Sequence, residues 1–121
     1  ASMYNLGRHL APLRAEGALI LASGNVVHSL RDVGWDMENG YPWADSFDKA
    51  IQDAILAGDF QTPVNFARLA GAARAVPTPE HYYPLLAALG AASPADKVTV
   101  WNDYRELGSM SMTSYLFADR T

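Results

Sequence analysis

The chain has 121 residues, half of them apolar and fewer than a fifth charged, which predicts one folded domain with a single core rather than a disordered segment. No cysteine is present, so disulfides and thiolate metal sites are excluded; a reducing compartment, the cytoplasm, is the expected location. A net charge of −4 without a basic cluster argues against nucleic acid, no apolar run reaches membrane-span length, and no signal peptide opens the chain. Ala1-Ser2 ahead of Met3 reads as a cloning remnant.

Met3, Leu6, Leu10 and Leu13 recur at helical spacing, with Pro12 set to kink the helix and Gly17 to stop it. Residues 18–23 form a short apolar run ending in Ser23-Gly24-Asn25, which predicts a buried strand covered on both faces, with 26–31 beginning a helix. Residues 34–42 are loop. A helix is expected over 42–57, with Trp43, Phe47, Ile51, Ala54 and Ile55 on its apolar face. Asp45, Asp48, Lys49 and Asp53 lie mostly off that face, and Gly58 ends the helix. A second helix is expected over 62–73, burying Val64, Phe66, Leu69 and Ala73, and a third over 79–90 that starts at Pro79. Alternation around Val98 and Val100 and over 109–117 predicts two strands. The fold class is α/β: a layered sheet with flanking helices, one domain over 1–121.

Two histidines stand out. His28 follows the predicted strand by a turn, where α/β proteins gather ligand-binding side chains, and imidazole can bind a divalent metal or move a proton near neutral pH. His81 falls in the first turn of its helix, where a ring is held in fixed orientation. A hydrogen-bonding loop histidine and a capping histidine are the plain alternatives. The two lie too far apart in sequence for a local metal motif. His9 belongs to the first helix and faces solvent. Glu80 and Asp32 are placed to complement helix starts. Tyr41, Tyr82 and Tyr83 suit a core edge or interface, Met110 and Met112 suit the core, and Ser109 and Ser111 lack a visible triad.

Four blocks taken together carry a resemblance. Arg8-His-Leu-Ala-Pro-Leu-Arg-Ala-Glu-Gly17 with Leu-Ile-Leu-Ala-Ser-Gly-Asn-Val-Val-His28-Ser-Leu-Arg31 is the first. Tyr41-Pro-Trp-Ala-Asp-Ser-Phe47, Pro77-Thr-Pro-Glu-His81 through Leu-Gly90, and Leu107-Gly-Ser-Met-Ser-Met112 follow in order. They resemble the C-terminal half of the class III extradiol ring-cleavage dioxygenases of the DOPA-dioxygenase type, related to the catalytic subunit of protocatechuate 4,5-dioxygenases. The resemblance implies a non-haem metal, Fe²⁺ in catalysis or Zn²⁺ as isolated, a catechol-type substrate and O2. It places a metal ligand at His81 and the acid/base histidine at His28, which in the DOPA-type branch can also approach the metal. It assigns no substrate-binding residue. The family's amino-terminal His-Gly-Ser-Pro and His-Trp type segments have no counterpart in the sequence.

The leading expectation is therefore a fragment or truncated relative of such an enzyme, poor or inactive alone and holding metal weakly. The chain would associate with itself or with a complementing N-terminal half, using Trp43, Phe47 and an edge of the 97–117 strands. The alternative is a non-catalytic, self-associating or partner-binding module that keeps the fold. An unrelated small α/β protein with structural histidines is the third reading.

Overall fold

A computed structural model describes residues 1–119. Helix α1 (Ser2–Leu10) is followed without a break by the single turn α2 (Pro12–Ala15), with Pro12 at the junction and Gly17, at φ +89°, beyond it. The kink at Pro12 and the stop at Gly17 follow the sequence. The buried face does not. Met3, Tyr4 and Gly7 face the core while Leu6 and Leu13 stay exposed, because α1 crosses α6 (Tyr83–Ala91) at glycine. A Cβ at Gly7 would meet the backbone carbonyl of Ala87, and one at Gly90 the carbonyl of Tyr4. Two helices this close admit no side chain between them.

The run 18–23 is not a buried strand. Ala18 through Asn25 have no strand partner, and Leu19 and Leu21 are 84% and 86% exposed. Burial resumes at Val26 and Val27, and where a helix was expected there is a single 3-10 turn, Leu30–Asp32.

Helix α3 (Pro42–Leu56) spans 15 residues, starts with proline in its first turn and stops before Gly58, at φ +78°. Ala44, Phe47, Ile51, Ala54 and Ile55 are buried as the spacing requires. Phe47 is too deep in the core to serve as an interface contact. Asp48, expected off the apolar face, is fully buried.

The helix expected over 62–73 is broken into α4 (Gln61–Val64), a 3-10 turn (Phe66–Arg68) and α5 (Ala72–Ala75). Two local features break it. The Asn65 amide donates to the Gln61 carbonyl, and Gly71 takes the left-handed conformation. The rotation exposes Ala73 and buries Ala72 and Ala75 instead. After a 3-10 turn at Pro79–His81, α6 is apolar all round and mostly buried; Tyr82 between them is in the core, and its hydroxyl donates to the Pro63 carbonyl (2.7 Å).

Strands β1 (Lys97–Trp101) and β4 (Ser114–Ala118) form one antiparallel pair, aligning Val98 with Phe117 and Val100 with Tyr115. Strands β2 (Arg105–Glu106) and β3 (Met110–Ser111) form a second. Helices packed with small antiparallel sheets keep the molecule in the α/β class. Among the described residues no helix is long and apolar enough to cross a membrane.

Arg14 of α2 reaches over to the chain after α6. Its guanidinium donates to both oxygens of the buried Asp96 (2.7 and 3.0 Å) and to the Ala91 carbonyl. This pairing holds the Asp96 carboxyl below its ordinary value of 3.8. A depressed carboxylate stabilises the fold above its unfolded pKa and loses that contribution as pH falls through the folded value. Asp96→Asn should therefore be less stable than wild type at neutral pH, with the difference shrinking below about pH 4 in urea titrations. Gly90→Ala should lower unfolding free energy by about 1–3 kcal/mol, since the backbones must separate.

Candidate functional site

Residues 27–29 form the floor of the site, held from two sides. The Ser111 amide donates to the Val27 carbonyl (2.9 Å), the Ser29 amide to the Ser109 carbonyl (3.2 Å), and the Ser109 hydroxyl to the Ser29 carbonyl (2.7 Å). On the other side the His28 amide donates to the Ala75 carbonyl (3.0 Å). Ser109 and Ser111 are buried, and their hydroxyls are spent on the Ser29 carbonyl and the Asp48 carboxylate, as expected of residues without a triad.

The His28 ring is 5% exposed. Nδ1 lies 3.1 Å from the Asn25 carbonyl oxygen and Nε2 2.8 Å from that of Thr78. With a carbonyl oxygen at each nitrogen, the ring is held from two sides and its orientation is fixed.

His81 approaches edge-on, with ring centroids 5.2 Å apart and planes at 65°. Its backbone is fastened to the segment leading to His28: the Asn25 amide donates to the His81 carbonyl (2.8 Å), and a side chain at Gly24 would collide with that oxygen. The His81 ring itself is exposed. The two imidazoles singled out in the sequence thus lie side by side, one buried and occupied, the other accessible.

Neighbouring acids have structural partners. The Thr78 hydroxyl holds the Glu80 carboxyl below its usual range. Asp32 accepts two bonds from Arg74 (both 3.1 Å) and one from the Ser29 hydroxyl (2.6 Å), and these lower its pKa in that order. Arg74 also lies 4.5 Å over the Trp43 ring, which accounts for that side chain's position. His9 is exposed and bonded to the Asn5 carbonyl of its own helix.

Sequence reasoning missed three residues that build the floor. Asp48 accepts from the Ser111 hydroxyl (2.7 Å), the Thr113 hydroxyl (2.6 Å) and Arg105 Nη1 (3.0 Å). Arg105 is held in turn by Asp45 and Asp103. The Asn25 amide group donates to the Ser111 carbonyl (2.7 Å). The signal for Asp48 was its register: it falls between Ala44 and Ile51 in the i, i+4, i+7 series, an acid inside an apolar stripe.

A metal of the kind the resemblance implies needs several donors on one point. Among the described residues no group of three or more histidine, cysteine or acidic side chains could hold one. His81 is exposed and its ring has no hydrogen-bond partner among the described residues, while both His28 nitrogens face carbonyls. The described residues of this chain do not fit a complete metal site. A groove of about 800 Å³ between Tyr4, Arg8, Phe60 and Lys97 lies elsewhere and includes neither histidine.

The comparisons with known proteins agree with one another. The family model of the catalytic LigB subunit of aromatic ring-opening dioxygenase matches residues 1–118. The 4,5-DOPA dioxygenase extradiol of Escherichia coli (strain K12) is 42% identical over 118 residues, covering 92% of this chain and 42% of that protein. Its namesake from Portulaca grandiflora is 36% identical over 116 residues, 94% of this chain and 43% of the relative. The crystal structure of an uncharacterized protein from Escherichia coli K12 superimposes with a TM-score of 0.86 at 40% identity, covering 93% of this chain and 48% of that one. The chain therefore spans less than half the length of these relatives.

Removing the Asp48 carboxylate leaves Arg105 and two hydroxyls without their acceptor. Asp48→Ala should cost about 3 kcal/mol of stability and shift the His28 ring resonances, although Asp48 does not touch that ring. Urea unfolding and ¹H–¹⁵N spectra of the imidazoles are the measurements.

Proposed function

Because this chain belongs to the family of the catalytic LigB subunit of aromatic ring-opening dioxygenase, we propose that it carries part of an extradiol dioxygenase active site that opens catechol-type rings with O2. The observation that carries the reading is the edge-on pair His28–His81 at 5.2 Å. In it His81, with its exposed ring, serves as one ligand of a metal, Fe²⁺ in catalysis or Zn²⁺ as isolated. The remaining ligands come from outside this chain. His28 holds and moves a proton: its ring is kept in one orientation, and it reaches substrate by giving up one carbonyl contact, that of Thr78 or Asn25. Were His28 also to hold the metal, as in the DOPA-type branch, the coordinating nitrogen would have to leave its carbonyl.

Alone, the chain is poorly active or inactive and binds metal weakly, since a single accessible imidazole defines neither affinity nor geometry. It works in the cytoplasm, in aromatic compound metabolism, either as a homo-oligomer or with a complementing N-terminal half. The second reading is a non-catalytic, partner-binding module, favoured by the exposed Leu19 and Leu21 and by the occupied nitrogens of His28.

The test joins the chain to a polypeptide supplying the missing half and follows oxygen uptake on a catechol with Fe²⁺ added. Ring opening should appear only in the combined sample. His28→Ala should lower turnover by about 10²–10⁴-fold, and His81→Ala should abolish it together with metal retention. Activity that survives both changes, or a combined sample that is folded and metal-loaded yet inactive, would leave the module reading standing. For the chain alone, calorimetry with Zn²⁺ should show weak binding; tight binding that survives His81→Ala contradicts the ligand assignment.

A further inference from the structure

We propose that Asn25 is the positioning residue of the histidine pair: its side-chain amide sets the separation and angle at which the His28 and His81 rings meet. The inference rests on the reading that these two rings carry the chemistry, and it names the group that makes them a unit.

Asn25 makes three polar contacts, each with a different part of the site. Its backbone N–H donates to the His81 carbonyl (2.8 Å), its carbonyl oxygen lies 3.1 Å from His28 Nδ1, and its side-chain N–H donates to the Ser111 carbonyl (2.7 Å). The first two belong to a closed circuit. It runs from Asn25 to His81, back through the 3-10 turn to Thr78, from the Thr78 carbonyl across 2.8 Å to His28 Nε2, and through the imidazole to Asn25 again. Asn25 thus touches one histidine with its amide and the other with its carbonyl.

The third contact braces the circuit against the floor. The Ser111 carbonyl can only accept, so the group facing it must be a donor, and the Asn25 amide is oriented to be one. Ser111 is itself buried, its hydroxyl held by the Asp48 carboxylate (2.7 Å). A displacement of about 1 Å at a reacting group can lower a rate about 10²-fold, so a bond that fixes two rings at once weighs more in rate than in stability.

The floor does not depend on that side chain. The His28 amide donates to the Ala75 carbonyl, the Ser29 amide to the Ser109 carbonyl and the Ser111 amide to the Val27 carbonyl. Loosening Asn25 therefore releases the pair of rings and leaves residues 27–29 in place.

The experiment compares amide hydrogen exchange and imidazole ¹H–¹⁵N spectra of the isolated chain with those of Asn25→Ala and Asn25→Asp. In both variants the protection of the residue 25 amide should fall at least about tenfold, while the amides of His28, Ser29 and Ser111 keep theirs. The His28 ring resonances should move, and the NOEs between the two rings should be lost. Asn25→Asp keeps the shape of the side chain but turns a carboxylate on the Ser111 carbonyl, so it should loosen the pair at least as much as Asn25→Ala. In the combined sample that opens catechol rings, Asn25→Ala should lower kcat by about 10–10²-fold with KM little changed. If one variant fails to fold, the other decides. The proposal is overturned if residue 25 keeps its protection, if Asn25→Asp behaves as wild type, if all four amides loosen together, if kcat is unchanged, or if neither variant folds. A wild-type combined sample that opens no ring would sink the functional reading, and the exchange and ring signals of the isolated chain would still decide this one.

Discussion

The buried carboxylate of Asp48 is the fixed point on which the site is built. An ionised group without water must find its hydrogen bonds inside the protein, and Asp48 finds three, from Ser111, Thr113 and Arg105. Those bonds fasten the short strands β2 and β3 to helix α3, although β2 and β3 pair over only two residues each and have little stability of their own. Once held, β3 offers its backbone to Val27 and its carbonyl to Asn25, so the line of support runs from α3 through Ser111 to the segment carrying His28. Arg105, shared by Asp45, Asp48 and Asp103, offsets part of this concentration of negative charge.

Much of this was legible in the sequence because the relevant signals are local. Pro42 and Gly58 bracket α3, the apolar spacing of Phe47, Ile51 and Ile55 sets its buried face, and alternation around Val98 and Val100 marks β1. The proximity of His28 and His81 could not be read from spacing; it came from the order of four blocks that resemble one family. In the structure these blocks converge. The Tyr41 amide donates to the Gly108 carbonyl, His28 bridges Met110, and Asn25 bonds His81. Their grouping in sequence is the trace of a single packed site.

The misreadings share a physical origin. Residues 18–23 have the composition of an interior strand, but composition reports the environment a segment suits, and among the described residues no strand pairs with them. The broken helix over 61–75 and the exposed Leu6 reflect tertiary constraints overriding an adequate local pattern: Gly71 turns the chain back, and the close crossing at Gly7 decides which side of α1 faces inward. The polarity of Asp48 points outward, while its register between Ala44 and Ile51 places it on the buried face.

The glycine crossing of α1 and α6 also bears on how the molecule comes into being. The two helices occupy residues 2–10 and 83–91, so the surface that receives α1 does not exist until most of the chain has been synthesised. At the ribosome α1 must wait, too short to persist as an isolated helix, with Leu6 and Tyr4 open to whatever is nearby. Contact between such distant segments also slows folding, because a long loop must close before the interaction that rewards it can form. The tight fit that makes the finished pair rigid therefore leaves the nascent chain with a late and vulnerable step.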